Sequence, residues 1–527
     1  MTQKENIKIP NDSILVEFKE YLDLELNQRI LFTAPFGAGK STFINDFEDK
    51  YKDGYRFIRL YPVNYAVSAN EDIFELIKFD ILYELMAHYN DEIVLVKQDF
   101  NFWLRMSMFM QNKADLMPLF LHIISLHETI GKPVAKFIEV LKPLVKDFKE
   151  YSKEISIDES GDVFGFLEAF ESKKGSPYEM DATSQFIFDL VDRLKRCESF
   201  NQEEIEEDKT RTNKTILVID DLDRLDPDHI FRLFNIFSAH THSITGENKF
   251  GFDKVVFVCD IENIRKIYAH KYGEGVDFSG YMDKFYSVKP FIYDNFKYLT
   301  QKITAIIDQS TFINLSKKDI VKEESVVYLL AAVLKILSKN KAINLRSLFK
   351  SNTFLLSIEE HVIIKNNITL SKNRIALIAV FEIIQEMLGG WAYLEKALLT
   401  VKDNNFYAKK YFDENQNFME KYNLVTYESG YKHEVDFLIP EVFRVFIAEY
   451  LKSEDKTTDG DKVMVLNEFK LNVTYNLRHQ DLDELKIKNI REVGGNNATI
   501  PDYKVNYDLL LIEAFRKLQE YGFIPSF

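Results

Sequence analysis

Cysteine is nearly absent: 527 residues carry two, Cys197 and Cys259. That excludes a disulfide-stapled scaffold and a zinc site built on cysteines, and it fits a reducing cytoplasm. Glycine (19) and proline (12) are scarce too, which excludes collagen-like or linker-like character and leans the chain toward helix. The most apolar stretches, Met117–Leu126, Val326–Leu337 and Ile375–Ile384, fall short of the roughly 20 residues a membrane-spanning helix needs. The opening MTQKENIKIPNDS lacks the apolar stretch of a secretory signal. Positive charge is in deficit, with 67 Lys and Arg against 83 Asp and Glu and a formal net charge of −16. Such acidity excludes a general nucleic-acid coat, although a local basic groove is compatible with it. These absences predict a cytoplasmic protein with no transmembrane segment.

What is present is ordinary globular composition, 46% hydrophobic and 28% charged, at a length that suits several domains. Residues 13–28 carry apolar residues at helical spacing, and 29–33 (RILFT) form a short β-prone run. A glycine-rich turn follows, then a helix from about Lys40 to Tyr51, a strand at 55–61 and an amphipathic helix at 71–89. This strand–helix–strand order opens an α/β unit. Residues 90–175 interrupt it with helical segments and are expected to be an insertion; a helix resumes at 178–196. Residues 201–211 are an acidic, solvated connector. The best strand of the chain is 215–219 (TILVI), short and β-branched as a buried parallel strand should be. Helix 227–238, strand 254–258 and an edge strand at 287–292 follow. Residues 318–390 are expected to be mostly helical, 424–437 to form a hairpin, 454–462 to be a polar linker, and 463–527 to mix strand and helix.

Between the first strand and its helix stand Ala34, Pro35, Phe36, Gly37, Ala38, Gly39, Lys40, Ser41 and Thr42, a phosphate loop with Ala at its first glycine position. Gly37 and Gly39 permit backbone angles that turn successive N–H groups inward around a phosphate, and the helix N-terminus adds its positive dipole end. Lys40 is expected to bridge the β- and γ-phosphates, and the Ser41 hydroxyl to ligate Mg²⁺. Farther along, four apolar residues deliver Asp220 to the carboxyl end of strand 215–219, the edge at which parallel sheets bind ligands. Asp220 is the second candidate for Mg²⁺, and Asp221 the candidate for orienting or deprotonating the attacking water. An aspartate is one methylene shorter than the glutamate many ATPases place there, which predicts slow turnover. His240 and His242 share a face if extended, but no third ligand accompanies them, so they are not expected to hold a metal.

The run Leu217-Val218-Ile219-Asp220-Asp221-Leu222-Asp223-Arg224 resembles the IDDLDR signature of the KAP family of P-loop NTPases. Phe36-Gly37-Ala38-Gly39-Lys40-Ser41 resembles that family's W-G-x-G-K-S, with Phe for Trp. Val256-Phe257-Val258-Cys259-Asp260 is similar to its next core strand, and Tyr281-Met282-Asp283-Lys284-Phe285 to its Y-L-E-K motif. The resemblance covers about 29–350 and implies a core related to the AAA+ and STAND ATPases. The expected architecture is α/β: a P-loop NTPase core with a parallel sheet over 1–89 and 176–312, a helical insertion at 90–175, a helical lid at 313–374, a winged-helix-like or helical module at 375–453, and a mixed, mainly helical region at 454–527. In this frame Asp260 is placed to sense the γ-phosphate through water or to cap the helix at Ile261, two compatible uses. Arg346 stands where a nucleotide-sensing arginine of the lid would lie. Arg224 and Arg265 are candidates for an arginine finger reaching a neighbouring subunit, with local ion pairing the alternative for each. The resemblance thus implies an ATPase using ATP and Mg²⁺, a homo-oligomer with a protein partner or effector, and a setting in prokaryotic anti-phage defence. A nucleotide-gated switch with little turnover and a nucleic-acid-stimulated motor are the alternatives.

Overall fold

The structure, a computed structural model, describes residues 11–62, 73–89, 92–93, 182–196, 213–239, 248, 250–314, 324–349, 353–356, 362–365, 368–371, 375–401, 438, 441–447, 461–477, 485–493 and 507–526. The acidic connector at 201–211, His240 and His242, the hairpin at 424–437 and, apart from residues 92 and 93, the insertion at 90–175 lie outside these. The chain divides into two compact units, Asn11–Tyr293 and, from Asp294 on, a second.

In the first unit, helix α1 (Asp12–Asp23) precedes strand β1 (Arg29–Thr33), helix α2 (Lys40–Tyr51) and strand β2 (Tyr55–Leu60). Helices α3 (Ile73–His88) and α4 (Ala182–Arg196) lead to strand β3 (Lys214–Ile219). Helix α5 (Pro227–Ala239), strand β4 (Lys254–Cys259), helix α6 (Ile261–Tyr272), the short helix α7 (Phe278–Met282) and strand β5 (Phe291–Ile292) complete it. The five strands form one sheet in the order β2-β3-β4-β1-β5, every pairing parallel. Strand β4 therefore stands between the strand that leads to the phosphate loop and the strand that ends at Asp220, pairing Leu31 with Phe257 on one side and Ile219 with Phe257 on the other.

Both faces of the sheet are covered, which is why β1, β3 and β4 are apolar through their middles. Successive residues point to opposite faces. Leu31, Leu217, Ile219, Val255 and Phe257 join Ile77, Leu82, Phe186, Leu190, Phe234 and Ile264 of α3, α4, α5 and α6 in one core. Phe32, on the other face, meets Phe18 of α1 at 5.2 Å edge-on and Phe43 of α2 at 5.4 Å stacked. Phe18 also touches Phe47 and Phe291, so α1 and α2 are pinned to the sheet by aromatic contacts. The expected edge strand at 287–292 narrows to the two residues of β5, pairing Phe32 with Phe291.

The second unit is built on helices α8 (Phe296–Gln309), α9 (Glu324–Lys339), α10 (Leu345–Phe349), α11 (Ala376–Leu388), α12 (Trp391–Val401) and α13 (Tyr507–Glu520), with a further helical segment at 441–447. Their core includes Leu330, Leu334, Leu377, Phe381, Leu394, Leu510 and Phe515, all buried. Helix α8 packs here with α9 although the sequence grouped it with the core up to 312.

Most of the described residues in 318–390 are helical, as expected, in α9, α10 and α11, but strands β7 (Thr353–Leu356), β8 (Val362–Lys365) and β9 (Ile368–Ser371), which the sequence did not suggest, lie inside that range. Strand β7 pairs in parallel with β6 (Thr311–Asn314), and β8 and β9 form an antiparallel pair. Runs of four residues such as TFLL and VIIK are too short to show a period, so only pairing decides between strand and helix. In the tail, β10 (Asp461–Leu466), β11 (Leu471–Leu477) and β12 (Leu485–Glu492) make an antiparallel sheet before α13. Residues 461 and 462, expected in a linker, begin β10.

Among the described residues no single helix is long and apolar enough to cross a membrane. Helices α11 and α12 would pass together by length and composition, but the chain bends by 103° between them, and their apolar residues form much of the second core.

Candidate functional site

The site begins where β1 ends. Thr33 Oγ1 accepts a hydrogen bond from Ile261 N at 3.0 Å, and Ala34 N donates to Cys259 O at 3.2 Å, so the loop leaves the sheet tied to the end of β4. Gly37 (φ 77°) and Gly39 (φ 88°) both take the left-handed conformation that other residues avoid. No side chain caps α2 at Gly39, which leaves the first N–H groups of the helix facing the loop's concave side. The buried Lys40 ammonium donates to Ala34 O at 3.0 Å, folded over its own loop. Ser41 and Thr42 lie in the first turn of α2, Ser41 half-buried and Thr42 exposed. A peptide cradle, a helix N-terminus and one buried ammonium together suit a polyphosphate.

Strand β3 brings Asp220 to the same edge. Its backbone N–H donates to Leu60 O at 3.0 Å, the last residue of β2, and its carboxylate is 1% exposed. Oδ1 accepts from Asp221 N at 2.8 Å, and Oδ2 accepts from Arg59 Nη2 at 2.6 Å. Asp221 then adopts a left-handed φ of 53°, a conformation that aspartate tolerates better than most residues. The turn that follows, Leu222–Arg224, points Arg224 back, its Nη1 3.3 Å from Asp221 Oδ2. Burial and the neighbouring Asp220 carboxylate hold the Asp221 carboxyl above its ordinary value, and Arg224 and Lys40 oppose the rise.

Asp260 ends β4 and performs the capping use: Oδ1 accepts from Glu262 N at 3.1 Å and from Asn263 N at 3.4 Å at the start of α6. Its Oδ2 also accepts from Phe36 N at 3.1 Å, which ties the strand end to the phosphate loop. The exposed Phe36 ring carries the Arg224 guanidinium 5.1 Å from its centroid. Phe36 thus links Asp260 and Arg224, and through Arg224 it touches the candidate base.

Lys40, Ser41, Asp220, Asp221, Asp260 and Arg224 therefore converge, as do Pro35, Phe36, Gly37, Ala38 and Gly39 of the loop. Arg265 lies on α6, exposed, with Glu262 at 3.4 Å and its guanidinium 5.4 Å from the Phe278 ring centroid. Arg346 is an exposed residue of the five-residue helix α10 in the second unit. Lys284 stands over the Tyr281 ring at 4.2 Å.

Arg59 is a residue that motif reading passes over. It stands next to the end of β2, buried, and besides Asp220 its guanidinium reaches Ser41 O at 3.4 Å, the Asn45 side-chain oxygen and Glu48 Oε2 at 3.7 Å. The signal was a charge at the ligand-binding end of a strand, YRFIRL, that otherwise reads as buried. Burial, partly offset by Arg59, pushes the Glu48 carboxyl up to about 7.

Among the described residues no group of three or more His, Cys, Asp or Glu could hold a metal on its own. The two donors expected from the sequence are the Ser41 hydroxyl and the Asp220 carboxylate. That set suits Mg²⁺, which keeps most of its waters and takes its remaining oxygens from substrate phosphates.

Comparison with known proteins agrees with this geometry. The family model described as the KAP family P-loop domain matches residues 17–362. No curated protein matches the chain.

Proposed function

The chain belongs to the KAP family of P-loop domains, and from that premise we propose that it is an ATPase that binds ATP with Mg²⁺ and cleaves the β–γ bond with water, releasing ADP and phosphate. The observation that carries this reading is the phosphate loop, with Gly37 and Gly39 left-handed, opening α2 at the sheet edge where Asp220 and Asp221 emerge. Loop N–H groups and Lys40 hold the β- and γ-phosphates. Ser41, with Asp220 acting through water, would hold Mg²⁺, which when bound neutralises charge developing on the phosphates. Asp221 orients the attacking water and accepts its proton. Asp260 fixes the loop through Phe36 N–H and lies in reach of a water at the γ-phosphate. Arg224 and Arg265 each hold a local ion pair and lie over a ring, but the pair of Arg224 is with Asp221 of the site itself and Arg265 is the more exposed, so Arg265 is the better candidate for a finger into a second subunit.

The cycle would drive homo-oligomerisation or engagement of a protein effector in the cytoplasm, in prokaryotic anti-phage defence. One observation favours a second reading, a nucleotide-gated switch with little turnover: the short Asp221 side chain is already engaged by Arg224.

The test is fluorescent-nucleotide binding, phosphate release and mass photometry on one set of samples. Wild type is expected to bind, hydrolyse and assemble with ATP and Mg²⁺. Lys40→Ala should lose all three, and Asp221→Asn should bind and assemble while phosphate release falls at least about 100-fold. Wild type that binds and assembles without releasing phosphate would establish the switch instead, and no binding at all would overturn both.

A further inference from the structure

The buried arginine of β2 has no part in the roles just assigned, and its position is informative. Arg59 is a full positive charge enclosed by the protein, 8% exposed at its side chain. Burying a cation is costly unless it is paired. Its nearest carboxylate is not a spare one but Asp220, at 2.6 Å, the residue expected to face the metal. The same Nη2 lies 3.4 Å from the carbonyl of Ser41, the other expected metal donor. Nη1 meets the Asn45 side chain and faces Glu48, so one planar guanidinium joins β2, the end of β3 and the first three turns of α2.

We infer that Arg59 is a positioning residue that aims and neutralises Asp220, making the metal site conditional on the nucleotide's phosphates. The inference rests on the nucleotide and metal reading above. The guanidinium fork fixes Oδ2, and Asp221 N–H holds Oδ1, so the carboxylate cannot rotate. Its charge is already balanced, so free Mg²⁺ finds little negative potential at Ser41 and Asp220. ATP supplies the missing charge, and Mg²⁺ enters with it. Without Arg59, the buried Asp220 and the half-buried Glu48 would lose the cation that both face, and carboxylates left so attract a bare divalent cation.

The test is thermal unfolding of the full chain in chelator and in Mg²⁺, without nucleotide, for wild type, Arg59→Met, Arg59→Lys and Arg59→Met/Asp220→Asn. Wild type and Arg59→Lys should not respond to Mg²⁺. Arg59→Met should gain a rise of about 3 °C or more once Mg²⁺ exceeds its dissociation constant about tenfold, and the double variant should lose that gain. A residue that merely braces the fold would lower the melting temperature equally with and without Mg²⁺, and that result overturns the inference. If Arg59→Met does not fold in chelator, refolding with Mg²⁺ reads the same property: recovery supports the inference, and equal failure in both conditions overturns it. Fluorescent-ATP binding by wild type runs alongside. Binding without the Arg59→Met gain overturns the Arg59 assignment alone, whereas the gain without binding supports the charge pairing and overturns the nucleotide reading.

Discussion

At the scale of single residues, the site is a set of charges held in a small volume, and one of them titrates near neutrality. Glu48 lies on α2 beside Arg59, with Asp220, Asp49 and Glu84 as its acidic neighbours, and its carboxyl is raised from 4.5 to about 7. A raised carboxyl binds a proton more readily in the folded chain than in the unfolded one. Its favourable contribution is therefore complete below about pH 4.5 and is lost as pH rises through about 7. Glu48→Gln should leave stability nearly unchanged at about pH 4. At about pH 8 it should raise stability by up to roughly 3 kcal/mol, since each tenfold change in proton affinity is worth about 1.4 kcal/mol; urea denaturation at the two pH values checks this. Equal effects at both would mean that Glu48 titrates normally. The phosphate-loop residues and the two aspartates were legible in the sequence because their spacing is dictated by one strand end and one helix start. Arg59 was not: nothing local says that a strand arginine will meet a carboxylate 161 positions later.

At the scale of elements, the end of β4 and the start of α6 are joined through Asp260, which serves two purposes with one carboxylate. It caps α6 with Oδ1 and holds the phosphate loop with Oδ2. The sequence left capping and phosphate sensing open, and the fold contains the cap. Asp260→Ala should cost about 1–2 kcal/mol, the usual loss for an N-cap, and should also weaken nucleotide binding, because Phe36 N–H loses its acceptor. Denaturant midpoints and fluorescent-nucleotide titration measure the two effects. Lost stability with unchanged affinity would reduce Asp260 to a cap. Most elements of the first unit fall within a few residues of their predicted bounds, since buried strands such as TILVI and amphipathic helices carry their period with them. Strands β6 to β9 do not, being four residues each and defined by partners rather than by pattern.

At the scale of the whole molecule, the chain has two cores. One is organised on the parallel sheet, and the other on α9, α11 and α13. Phe381 lies fully buried in the second, its ring edge-on to Phe515 at 5.3 Å. Phe381→Ala should destabilise that core by about 3–5 kcal/mol while leaving nucleotide affinity of the first unit within about twofold. Calorimetry with and without nucleotide tests this: the transition lowered by the substitution should not be the one raised by nucleotide. A single transition moved by both would show one cooperative body.

The sequence by itself determined the phosphate loop, the acidic strand end, the α/β character of the first unit and the family resemblance, because each rests on residues adjacent in the chain. Only tertiary structure decided that β4 stands between β1 and β3, that Phe36 joins Asp260 to Arg224, and that Arg59 pairs with Asp220. These are matters of pairing across long separations, set by which strands bury one another and by the requirement that a buried charge find its opposite. No local pattern encodes that choice.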